Sequence, residues 1–170
     1  MEARAKLFGH PVHQMLIVFP LGLLSTAVIF DLIHLITSNP MWSVMAYWVI
    51  AVGIIGGLCA ALFGAIDWWG IPSGTRAHAL GIWHGLGNVC VVALFFVSWL
   101  LRRPNPGAPS TIAVLFMLGG AALSLVTGWL GGELVDRLGV GVGVDDGANL
   151  NAPSSLKGAL PSQRTNTAAR

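Results

Sequence analysis

The sequence predicts an all-α integral membrane protein: an up-down bundle of four transmembrane helices followed by a disordered C-terminal tail. Three observations carry this prediction. Of the 170 residues, 55% are apolar and only 9% are charged, where a soluble domain carries about 25% charged residues. Four stretches, 11–36, 44–66, 79–101 and 111–131, are apolar over about the 20 residues that a helix needs to cross a hydrocarbon core. The links between them are short and carry turn chemistry: Asn39-Pro40, Gly70-Ile71-Pro72-Ser73-Gly74 and Pro104-Asn105-Pro106-Gly107. Short links make successive spans antiparallel.

Charge and cysteine usage exclude several classes of function. A net charge of +2, spread along the chain, is too small for a surface that tracks nucleic-acid phosphates. Cys59 and Cys90 lie inside apolar runs, where they read as small core residues. No CxxC or CxxCH occurs, so a zinc ribbon and covalent c-type haem are excluded. No phosphate loop, nucleophile elbow or HExxH is present, which argues against an enzyme.

The elements follow in order. Pro11 suits the first helical position, because its missing N–H would be unpaired there. The apolar run continues well past Ser25-Thr26-Ala27, so the first span is a retained helix and not a cleaved signal. Pro20 removes a ladder bond and crowds the carbonyl of Leu16, which predicts a kink. In the second span Gly53, Gly57, Ala60, Gly64 and Asp67 share a face. Ala77, Gly81, His84 and Asn88 do so in the third. Gly120, Ser124, Gly128 and Gly132 form a four-residue repeat in the fourth. Small residues let membrane helices approach closely, so Gly128→Leu is expected to wedge the fourth helix away.

Residues 1–144 form the membrane domain, and residues 145–170 are expected to be a disordered tail too poor in apolar side chains to fold. Within the domain, the Gly/Val alternation at 139–144 reads as an extended segment on the bundle or as a linker. Arg4, Lys6, Arg76 and Arg137 outnumber Arg102 and Arg103 near the spans, and Lys157, Arg164 and Arg170 add to the first set. The excess of basic residues places both termini in the cytoplasm.

Polar residues gather at the end of the bundle that carries the termini. His10 and His13 are three apart, hence neighbours on a helix that starts at Pro11. Asp67 ends the second span, His78 precedes the third, His84 and Asn88 lie inside it, and Glu133 and Asp136 follow the fourth. Ionisable groups in or beside spans are costly and usually line an interior site. A secondary pair, Asp31 and His34, marks the far end, where Arg102 and Arg103 also lie, and Asp31 is expected to pair with His34 or with an arginine. His13 and Asp31 share a face but stand five helical turns apart, about 27 Å at 1.5 Å per residue. One pocket cannot hold both.

Several segments together resemble a known family: Gly9-His10-Pro11-Val12-His13, Val18-Phe19-Pro20-Leu21-Gly22, Asp67-Trp68-Trp69 with Ile71-Pro72, His84-Gly85-Leu86-Gly87-Asn88, and Gly131-Gly132-Glu133-Leu134-Val135 with Gly139-Val140-Gly141-Val142. They are similar to the bacterial four-helix membrane family described as domain of unknown function 2231, over about residues 8–144. The resemblance implies a four-helix domain in the bacterial inner membrane and supplies no activity. Some relatives are joined to iron–sulfur electron-transfer domains, which points to redox work. The chain departs from the family at Val18, where many relatives carry histidine or proline. Asp136 and Leu138 stand where an aromatic residue and a histidine are common.

Four functions fit these residues. The leading one is a membrane scaffold or partner subunit, in which the His/Asp/Asn cluster ties helix ends together. It would work with a redox or membrane-protein partner, or as a homo-oligomer, within the lipid bilayer. A b-type haem would take His13 and His84 from facing helices. A transition metal would instead collect His10, His13, His78 or His84 with Asp67 or Glu133. A proton or ion pathway would use Asp67, His84 and Glu133, yet only Ser25, Thr26, Ser98, Ser124 and Thr127 lie between the two polar ends.

Overall fold

Among the described residues, four stretches of helix are long and apolar enough to cross a membrane: Val12–Thr37, Pro40–Trp68, Arg76–Arg102 and Thr111–Arg137. The structure is a computed structural model and describes residues 1–142 and 149–157. The first span is two helices, α1 (Val12–Leu16) and α2 (Val18–Thr37). Their junction at Ile17 follows from Pro20, which has no N–H to give the Leu16 carbonyl. The bonds on either side are intact, with Ile17 N donating to His13 O and Leu21 N to Ile17 O, both at 3.1 Å. α3 (Pro40–Trp68), α4 (Arg76–Arg102) and α5 (Thr111–Gly132) complete the bundle. Each starts on a side-chain cap: Asn39 accepts from Met41 N, Thr75 from His78 N and Ser110 from Ala113 N. A π-helical turn, Glu133–Arg137, prolongs α5.

The helix begins one residue later than the sequence suggests. Pro11 is extended (φ −63°, ψ 119°) and belongs to a two-residue ladder in which β1 (Lys6–Leu7) pairs with β2 (His10–Pro11). Phe8 and Gly9 turn the chain with φ of 49° and 83°. Positive φ at both central residues suits a tight hairpin. His10 therefore leaves the helix that was to set it beside His13.

α2 packs along α3, and α4 along α5. The middle of the bundle is apolar: Leu24, Ala27, Ile50, Val91, Phe95 and Met117 are all buried there. Leu21, Leu62 and Leu125 are among many large apolar side chains facing outward, as lipid requires. Cys59 and Cys90 are exposed and not core residues.

The small-residue faces of α3 and α4 are contact faces. A Cβ built on Gly53 falls 2.6 Å from Leu24, and one on Gly81 falls 2.6 Å from Trp68. On α5 the four-residue repeat misidentifies the contact. A Cβ on Gly128 meets nothing within 4 Å, whereas one on Gly120 falls 2.8 Å from Phe95 and one on Gly131 falls 3.1 Å from His84. The buried face steps Val114, Met117, Gly120, Thr127, a helical period near 3.5 that a strict repeat of four drifts away from.

The expected tail also divides. Residues 145–148 and 158–170 lie outside the described residues. Residues 149–157 lie on the terminus-side end instead of being free. Leu150 O accepts from Ala77 N at 3.0 Å, Asn151 Oδ1 from Arg76 N at 3.0 Å, and Ala152 is fully buried with Ile71, Ala77, Leu134 and Leu138. The segment needs little apolar surface of its own because helix-end amides of α4 bind its carbonyls. Of the Gly/Val stretch, Gly139 and Gly141 have φ of 64° and 80°. They turn the chain back so that Met1 N donates to Gly139 O and Gly141 N to Met1 O, both at 2.9 Å.

Candidate functional site

Two histidines are held in the same way by neighbouring helices. His13 on α1 places Nδ1 2.8 Å from the carbonyl of Ala60 on α3. Its ring covers Gly64, one turn further on, where a Cβ would fall 2.9 Å from Cε1. His84 on α4 places Nδ1 2.9 Å from the carbonyl of Thr127 on α5. Its ring covers Gly131, again one turn on, where a Cβ would fall 3.1 Å from Cε1. A carbonyl only accepts, so Nδ1 is the protonated nitrogen in both rings and Nε2 is left as the basic one.

Asn88 braces His84. Its amide donates to the His84 carbonyl at 2.8 Å and stands 3.3 Å from Nε2, while its oxygen accepts from Thr127 Oγ1 at 3.2 Å. His84, Asn88 and Thr127 thus link α4 to α5. The sequence shows Thr127 only as a mid-span hydroxyl, because the carbonyl that it offers to His84 is a backbone group.

The other predicted residues disperse. Asp67 turns to the N-terminal segment, accepting from Arg4 N at 2.7 Å and Ala5 N at 2.9 Å. His10 is exposed on β2. His78 lies against Trp68, with ring centroids 4.8 Å apart, and its carbonyl accepts from Trp68 Nε1. These two residues edge an open groove of about 550 Å³ that also includes Arg4, Trp69 and Ile71. Glu133 is buried and pairs with Arg76 at 2.7 Å, while its second oxygen accepts from Ser155 N at 2.8 Å. The helix runs unbroken through Gly131-Gly132 and widens into a π turn from Glu133, which places it there. Among the described residues, no three His, Cys, Asp or Glu side chains converge to hold a metal ion.

At the far end Asp31 pairs with Arg102, not with His34. Both charged residues are fully buried. Arg102 Nη1 donates to Oδ1 at 2.9 Å, Nη2 donates to Oδ2, and Nε donates to Ser98 Oγ at 3.1 Å. Ser98 Oγ in turn donates to the carbonyl of Ala113 at 2.7 Å. His34 binds the carbonyl of Asn39. The bidentate fork ties α2 to α4 and α5. Arg102 reads in the sequence as a flanking charge. Its signal was the helical spacing Val91, Phe95, Ser98, Arg102, which puts it on the inward face.

A family model described as "Predicted membrane protein (DUF2231)" matches residues 9–144. No curated protein and no solved structure matches the chain.

Proposed function

The chain belongs to the DUF2231 family of predicted membrane proteins, and from its geometry we propose a membrane partner subunit that holds a b-type haem between His13 and His84 for electron transfer. The single observation that carries this reading is the matched seating of the two rings. In each, Nδ1–H is spent on a helix carbonyl and Nε2 is left as a base. Haem-ligating histidines use that tautomer: the distal N–H is fixed by a backbone or carboxylate acceptor, which orients the ring. Glycine beneath each ring lets the helices close around it. The basic residues near the spans support an orientation with this end in the cytoplasm.

A second reading is favoured by the Asn88 amide near His84 Nε2. In that case the cluster is a hydrogen-bond tie between helices, and the chain is a scaffold subunit without a cofactor. Absorption spectra of protein purified from haem-replete cells separate the two. The first reading expects a Soret band that His13→Ala and His84→Ala each abolish and His34→Ala leaves in place. A native protein with no Soret band defeats it. His84→Ala then costs roughly 1–3 kcal/mol through the unpaired Thr127 and Asn88 groups and changes no spectrum.

A further inference from the structure

The α2–α3 and α4–α5 hairpins repeat each other's contacts in register. Asp31 on α2 and Arg102 on α4 are separated by 71 residues. His13 and His84 stand at that same interval, and so do Leu24 and Phe95. Their partners on the returning helices keep a second interval, shorter by about one helical turn. It relates Ala60 to Thr127 and Gly64 to Gly131, the groups that seat the two histidines. It also relates Gly53, on which Leu24 presses, to Gly120, on which Phe95 presses. Ala46 and Ala113, like Ile50 and Met117, keep it too, and all four are fully buried. The difference between the two intervals falls at the hairpin tips. There α2 and α3 run on past Asp31 and Ala46 to a link of Ser38 and Asn39 alone, whereas α4 ends at Arg102 and α5 begins two residues before Ala113, so the second hairpin is the shorter despite its longer 103–110 loop. Both hairpins run out and back in the same sense, so a rotation about an axis along the bundle relates them.

Asp31 and Arg102 are therefore counterparts, and they touch each other. A residue meets its own counterpart only close to the axis. There, pairing two copies of the first hairpin would set carboxylate on carboxylate. Two copies of the second would set guanidinium on guanidinium. Only the mixed pair is neutral. Buried polar groups at one interior position are known to fix register and partner.

We infer that the membrane domain is one helix hairpin present twice, and that Asp31–Arg102 on the axis between the copies is the key by which each half recognises the other. The second hairpin supplies a braced guanidinium, because Ser98 holds Nε and is itself tied to Ala113. The first supplies the carboxylate, and Ala27 occupies the counterpart position of Ser98. This inference does not depend on any cofactor.

Exchange of the charges tests it in the full-length chain. Asp31→Arg and Arg102→Asp alone each bury like charges, and the yield of monodisperse protein in detergent should fall by about tenfold or more. The triple variant Asp31→Arg/Arg102→Asp/Ala27→Ser rebuilds the key with its halves exchanged and should recover most of that yield and the thermal midpoint. The neutral variant Asp31→Leu/Arg102→Met should fold, showing that repulsion and not lost volume disables the single reversals. A triple variant as poor as the single reversals overturns the inference. So do single reversals that fold as well as the native chain.

Discussion

Gly120→Leu and Gly128→Leu lie on one helix, and the structure assigns them opposite outcomes. At Gly120 a bare Cβ would sit 2.8 and 2.9 Å from two ring carbons of Phe95 and 3.4 Å from Leu94 Cβ. Carbon atoms prefer about 3.5–4.0 Å, so even alanine there demands a shift of roughly an ångström. Phe95 is 1% exposed and sits in a close-packed core that cannot absorb the shift locally. α4 and α5 would have to separate along their shared face. Overpacking of this kind costs about 1–3 kcal/mol, and leucine adds three more carbons. At Gly128 nothing lies within 4 Å, and replacing a helical glycine recovers up to about 1 kcal/mol of propensity. Thermal unfolding in detergent, followed by circular dichroism or dye binding, should show a large loss for Gly120→Leu and no loss, or a small gain, for Gly128→Leu. An equal loss at both positions would refute the assigned packing face of α5.

Two further outcomes are expected. Removing residues 149–170 should lower the thermal midpoint and expose the start of α4 to protease, because Glu133 loses its Ser155 partner and Arg76 its contacts to Asn151 and Ala152; an unchanged midpoint would show that this segment is idle. Reporter fusions after Arg103 and after Arg137 should report opposite sides of the membrane, with the Arg137 fusion cytoplasmic; periplasmic activity there reverses the orientation.

The number and extent of the helices were legible because they rest on local quantities: apolar length, proline and capping residues. The break near Pro20 was legible for the same reason, since a missing N–H needs no tertiary partner. Partners were harder to read. For Asp31 the sequence offers both His34, one turn away, and an arginine, and it is Arg102 that takes the carboxylate. Sequence proximity counts for little once a buried guanidinium offers a bidentate fit. The docking of residues 149–157 was hidden because backbone groups, not apolar side chains, make most of its contacts. The duplication was hidden as well. Counterparts such as Leu24 and Phe95, Ile50 and Met117, or Asp31 and Arg102 share burial and place but not identity. The glycines at 53/120 and 64/131, the alanines at 46/113 and the histidines at 13/84 are among the few that match.

The histidines match in the two halves, but their surroundings differ, and the difference leaves the two rings unequally held. α4 runs unbroken through His84, whereas the first span breaks at Ile17, one turn past His13. Ile17 is also the counterpart of Asn88, at the interval that relates the two histidines. The second half therefore offers an amide beside Nε2 where the first offers an alkyl chain. His84 is braced from two sides, by Thr127 and Asn88. His13 rides on a short helix, α1, fixed to α3 by one bond, to Ala60, and by its fit over Gly64. A short helix hinged at a proline-induced break moves at lower cost than a span held along its whole length. Of the two rings, His13 is thus the more lightly held and His84 the more firmly braced.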